Sequence, residues 1–323
     1  MTPVQFENLY RDDWDELDRL LGAVRGVRKE KEPIPGERVA ALYRRTCEHL
    51  ALSRARAYPA YLVDRLEQLT SEAHQAIYQQ RDFGLRRLYA LVAVDFPQAV
   101  RRHSNYVWLA TAVFVLPTLI LGLLVYLRPE LILSVVDAQS AAEFERMYSG
   151  NEEAIGRLRD ANTDWAMFGY YIRHNIGLAF QCFASGLLAG LGSLFFLAYN
   201  GAFFGALAGY LTQRGFGETF YSFVVTHAAF ELTAIVLAGA AGLRIGHSLL
   251  APGRLTRRQA LVAASRESVV IIYGVTALLL IAAAVEAFWS SARWIPPLMK
   301  YGVAAICWIS VLAYLTLQGR RAG

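Results

Sequence analysis

From position 106 to position 317 the chain is a series of long apolar runs separated by short polar breaks. The run 106–127 holds 22 residues without a charge. As a helix it is about 33 Å long, enough to cross a bilayer. Pro117 inside it predicts a bend that a membrane helix tolerates. A denser block covers 168–211, resumes after a polar loop at 220–246, and is followed by runs at 268–289 and 298–317. Tyr199-Asn200-Gly201 carries a turn signal and divides the block into arms at 169–198 and 200–216. The second arm is continuously apolar only over 201–211, about 16 Å of helix, so it must borrow flanking residues or dip without crossing. With 218–244 as the next span, six crossings are predicted.

Glycine recurs inside this block at four-residue spacing. Gly201, Gly205 and Gly209 share one helical face, and so do Gly186 and Gly190. In lipid such faces let helix backbones approach closely, because packing replaces the hydrophobic drive between helices.

The remainder is amphipathic. Over 1–105, apolar residues such as Phe6, Trp14, Leu17, Leu21, Leu62, Leu66 and Leu69 recur at helical spacing, with breaks at Pro33-Ile34-Pro35-Gly36 and Pro59. This predicts a small helical bundle outside the membrane. The stretch 128–167 has an apolar stripe and eight acidic residues against four arginines, so it is expected to lie along the outer membrane surface. Phe168, Tyr170 and Tyr171 form an interfacial aromatic cluster where the chain re-enters. The predicted fold is therefore all-α and polytopic: a cytoplasmic helical bundle over 1–105 and a membrane domain over 106–323.

Composition agrees. Hydrophobic residues make up 55% of the chain and the mean hydropathy is +0.30, too apolar for an ordinary soluble domain. The net charge of +5 is explained by arginines beside the spans rather than by an acidic partner. Arg101-Arg102, Arg244, Arg254, Arg257, Arg258, Arg266 and Arg320-Arg321 place their loops, and both termini, in the cytoplasm. Charges throughout the first twenty residues argue against a cleavable leader. Cys47, Cys182 and Cys307 lack any disulfide or metal spacing. There is no phosphate-binding loop, nucleophile elbow or nucleic-acid module, so neither an enzyme nor a nucleic-acid binder is expected.

Chemistry is concentrated at His227 and Glu231, which share a face of a helix that must cross hydrocarbon. Asn175, Gln181 and Asn200 are the candidate polar partners from the adjacent hairpin. The pair can fix helix register, line a proton or solute pathway, or bind metal. Two ligands alone make a poor zinc site and no HExxH motif supplies a third, so no metal and no cofactor are expected. Glu286 and Lys300 are placed near the outer interface, where snorkelling or mutual pairing accounts for them. His49 and His74 are expected to be packing or surface histidines.

Two stretches, MFGYYIRHNIGLAFQCFASGLLAGLGSLFFLAYNG and THAAFELTAIVLAGAAGLRIG, resemble the stage II sporulation protein M family of bacterial membrane proteins. LYRRTCEHLALSRAR, SEAHQAIYQQ and DFPQAVRRH extend the resemblance to the longer form with a cytoplasmic N-terminal region. The family usually has Asn-Asn where this chain has His174-Asn175, and His-Gly where it has His227-Ala228. The resemblance implies a non-enzymatic membrane scaffold or assembly component of the envelope, linked to cell-wall remodelling. It also implies partners among membrane and envelope proteins, with an AAA ATPase and von Willebrand-type domain proteins as candidates, and leaves a homo-oligomer open. The alternative from the residues themselves is a permease or channel-like protein using the His227/Glu231 face.

Overall fold

The computed structural model describes residues 1–24, 36–78, 84–149, 161–292 and 294–320, and they divide into two compact units, Met1–Arg87 and Leu88–Gly323. Helices and the short turns between them make up the described residues, without strands.

In the first unit, α1 (Pro3–Val24), α2 (Gly36–Ala55) and α3 (Ala60–Tyr78) pack around Phe6, Trp14, Leu17, Leu42, Leu62 and Leu66. Their spacing of three and four residues is what brings these side chains to one face of each helix. Buried His49 accepts a 3.0 Å hydrogen bond at Nδ1 from Trp14 Nε1 and stacks on Tyr10. It is thus a packing histidine. His74 lies beside the Tyr43 hydroxyl at 3.1 Å. Surface ion pairs such as Arg38–Glu16 and Arg65–Asp15 join the helices, each contributing at most about 1 kcal/mol.

The division at Arg87 and Leu88 falls earlier than the boundary drawn from sequence at 105. After α4 (Leu85–Ala90) and a π-helical turn, Leu91–Asp95, the chain enters α5 (Phe96–Arg102), whose charges suggest a soluble helix. In the structure Phe96 is buried against Gly274, and Arg101 donates to the Leu315 carbonyl at 2.8 Å. The stretch 88–105 therefore packs with the membrane helices.

Five described helices are long and apolar enough to cross a membrane: Ser104–Leu127, Leu191–Gln213, Gly217–Leu250, Arg257–Ser290 and Pro297–Leu317. They correspond to α6, α9, α10, α11 with its π-helical extension, and α12. Here α11 proper is Arg257–Ala284 and the π-helix is Val285–Ser290. α8 (Ala161–Ala184) packs beside α10 and α11, but Arg173, His174 and Asn175 keep it below the apolarity of the other five.

The hairpin is not where the sequence suggests. Asn200-Gly201 lies inside α9, and Asn200 Nδ2 donates 2.7 Å back to the Phe196 carbonyl, so its amide supports the helix instead of ending it. The chain reverses at Ser185–Leu187 and the residues after it, where Ala189 and Gly190 have φ of 53° and 86°. Ser193 Oγ then donates 2.6 Å to the Cys182 carbonyl across the turn. α9 consequently has 23 residues and is long enough to span a bilayer without borrowing. Gly186 and Gly190 belong to this turn rather than to one helical face, and they approach the α10 backbone at Gly242 and Gly246.

Gly201, Gly205 and Gly209 face α6, where a Cβ would overlap the carbonyl oxygens of Phe114, Thr118 and Gly122 in turn. The two four-residue steps along α9 match two such steps along α6, so the two backbones touch over about two turns.

The stretch after α6 also differs from expectation. Pro129–Ser134 forms a 3-10 helix, and α7 (Ala138–Tyr148) begins with Asp137 accepting from the Ser140 amide. Its apolar stripe, including Ala141, Phe144 and Tyr148, packs on Ala206, Tyr210, Leu211 and Phe220 rather than on lipid. Glu145 secures it, accepting from the Tyr210 hydroxyl at 2.6 Å and pairing with Arg214 at 3.0 Å. Residues 150–160 of the expected surface segment lie outside the described residues.

The two ends of the bundle differ in charge. Arg244 pairs with Glu267 at 3.0 Å, with His103 3.6 Å from the same carboxylate, at the end that also carries Arg254, Arg257 and Arg258. We refer to it as the basic end.

Candidate functional site

The site forms where α10 meets the π-helix Val285–Ser290. α10 runs 34 residues through the centre of the bundle, so a residue near its first third is surrounded by other helices. His227 sits there at 4% exposure. Its Nδ1 is 2.9 Å from Ser290 Oγ, and its Nε2 is 3.9 Å from Glu231 Oε2, one turn on. A π-helix carries more residues per turn than an α-helix, which shifts the facing of side chains beyond it. In this one Glu286 is buried, and its carboxylate lies with the His227 and Glu231 ligand atoms inside a 4.8 Å set.

Ser290 is the node above this set. Its carbonyl accepts 2.7 Å from Lys300 Nζ, and Thr226 Oγ1 reaches the Lys300 carbonyl at 3.4 Å. Lys300 is therefore buried and bonded to backbone rather than snorkelling to an interface. A cavity of about 200 Å³ lies beyond Ser290, lined also by Tyr148, Glu218, Ser222, Phe223 and Lys300. Phe223 packs edge-on against His227, so the cavity floor touches the site. Burial raises the Tyr148 phenol well above its usual range, and the nearby Glu286 carboxylate adds to the shift. Toward the basic end the site is closed by core residues of α10 and α11, including Ile235, Ala238, Val275 and Leu279.

Of the predicted polar partners, only His227 and Glu231 meet. Asn175 is 1% exposed on α8, with Nδ2 lacking a hydrogen-bond acceptor. Gln181 is exposed, and Asn200 is spent on its own helix. Glu286 was assigned to the interface from sequence and belongs to the site. The signal available was a lone carboxylate within an otherwise apolar run, which at membrane depth marks function or a buried partner. The three groups offer one imidazole nitrogen and two carboxylates. Among the described residues they are the set of three His, Cys, Asp or Glu side chains close enough to hold an ion.

A family model described as Stage II sporulation protein M matches residues 110–291, and one described as Domain of unknown function (DUF8413) matches residues 4–79. No curated protein and no solved structure matches the chain. The first match takes in more than half of the chain, from within α6 through the π-helix, and contains His227, Glu231, Glu286 and Ser290. The chain thus belongs to the stage II sporulation protein M family.

Proposed function

We propose that the chain is a membrane component of a bacterial envelope assembly, without catalysis of its own, which holds partners in place. The observation that carries this reading is the backbone-to-backbone locking of the membrane unit. α6 meets α9 at Gly201, Gly205 and Gly209, and the α8–α9 turn meets α10 at Gly242 and Gly246. Small-residue faces hold helix backbones in close contact and suit a bundle that presents fixed surfaces to partners. The apolar closure below His227 and Glu231 supports the same view. The resemblance supplies the partner classes, an AAA ATPase and von Willebrand-type proteins on one side and cell-wall remodelling proteins on the other.

Purification from native membranes in mild detergent tests this reading. A stoichiometric partner should accompany the wild-type chain. A chain that elutes alone from native membranes and mediates solute uptake in liposomes would overturn it. The second reading, a permease, is favoured by one observation, the open cavity whose floor contacts His227.

The orientation follows the arginines: the basic end, with both termini, faces the cytoplasm of the inner membrane. Single cysteines at Gln139 and Gln213 should react with an impermeant maleimide from the outer side, and one at Gln259 only after permeabilisation. Labelling of the position-213 cysteine from the cytoplasmic side alone would reverse the assignment.

A further inference from the structure

We infer that His227, Glu231 and Glu286 bind a divalent transition-metal ion of the zinc class within the membrane unit. The inference goes beyond the assembly reading and does not depend on it. Three features of the site point to a cation.

The first is distance. Zinc bound by imidazole and carboxylate has bonds of about 2.0–2.2 Å, so neighbouring ligand atoms in a tetrahedral site lie about 3.4 Å apart. The His227–Glu231 separation of 3.9 Å is close to that, and all three ligand atoms fall within 4.8 Å of one another. Small rotations of two glutamates, both flexible at their outer torsions, complete the approach.

The second is how the imidazole is held. With Nδ1 engaged by Ser290 Oγ, Nε2 is the nitrogen presented to the carboxylates. Ligating histidines are commonly fixed in this way, the outer nitrogen bonded to a protein group and the inner one left to the metal. Lys300 in turn holds the Ser290 carbonyl, which keeps the node in place.

The third is the donor set. A nitrogen donor with two oxygens suits zinc or manganese better than magnesium or calcium, which prefer oxygen alone. Three protein ligands leave one coordination position free, and Phe223 and Ser290, which touch His227, line the cavity of about 200 Å³.

The test uses the full chain purified in detergent, stripped with a chelator and titrated with ZnCl2, MnCl2 or MgCl2 alone. Wild type is expected to bind one equivalent of zinc, to melt at a higher temperature with it, and to show an N/O-only coordination shell at the zinc absorption edge. Magnesium should neither bind nor raise the melting temperature. Glu286→Gln and Glu231→Gln, nearly isosteric, should each weaken zinc by more than about a hundredfold. Ser290→Ala, which acts only through the imidazole, should weaken it by about tenfold. Wild type that prefers magnesium, binds no zinc, or shows sulfur in the coordination shell would overturn the assignment, independently of how any variant folds. Unchanged zinc stoichiometry and affinity in the folded double variant Glu231→Gln/Glu286→Gln would overturn it equally.

Discussion

Gly205→Leu is expected to prevent stable assembly of the membrane unit, with most of the protein lost on detergent extraction. The reason is geometric. Even a methyl group at Gly205 overlaps the Thr118 carbonyl, a backbone atom of α6 that cannot rotate away. Flanking Gly201 and Gly209 meet α6 in the same manner, so α9 cannot tilt about Gly205 to make room without opening one of the other two contacts. Overpacking by added methylenes costs about 1–3 kcal/mol in soluble cores, and separating two backbones costs more because every contact along them is lost. Gly205→Ala is the sharper measurement. Alanine is favoured over glycine in a helix by about 1 kcal/mol, so a net loss of stability must come from the overlap. Gly302 in α12 is the control, since nothing lies within 4 Å of its added Cβ. Gly302→Ala should leave the melting temperature unchanged or raise it, while Gly205→Ala should lower it by several degrees. Equal shifts at the two positions would show that α6 and α9 are not in backbone contact.

The same glycines show how far the sequence could be read. A glycine serves either a close approach or a positive φ, and spacing alone does not separate the two. Gly201, Gly205 and Gly209 serve approach, whereas Gly190, within the same spaced set, has φ of 86° and turns the chain. Asn200-Gly201 has the composition of a turn, but an asparagine that can bond its own helix four residues back does not have to end it. The long apolar runs were legible because length and hydropathy are properties of one segment. The apolar stripe of α7 was legible too, but lipid and a neighbouring helix ask for the same stripe, and only the fold shows that Tyr148 meets Phe220. His227 and Glu231 are neighbours on one helix and were visible as a pair. Glu286 comes from a distant segment, and its π-helix shifts the facing that an α-helical count assumes. The Phe96 ring likewise fits the space left by Gly274, a meeting of two distant segments that spacing along one helix does not show.

Trp14→Ala is expected to be the most damaging change in the first unit. Trp14 is fully buried, and removing a core tryptophan costs about 3–5 kcal/mol because the cavity does not collapse. It also removes the donor to His49, leaving that imidazole nitrogen buried without its partner. Hydrogen exchange on the full chain should then rise on the order of a hundredfold or more across Gly36–Ala55. Trp14→Phe separates the two losses, because it retains much of the volume and lacks only the indole donor. Acidification should act on the same contact. Burial holds the His49 pKa below its ordinary value, with Asp13 and Glu48 opposing the shift. Below the unfolded value of about 6.5 the unfolded chain therefore takes up the proton more readily than the folded one. The stability contributed by neutral His49 is complete above that pH and is lost progressively as the pH falls from it toward the lower folded pKa. Exchange across Gly36–Ala55 should accordingly be faster at pH 5.5 than at pH 7.5 after correction for intrinsic rates, and His49→Gln should flatten the difference. A pH profile that is the same in wild type and His49→Gln would show that His49 is not the group that acid attacks.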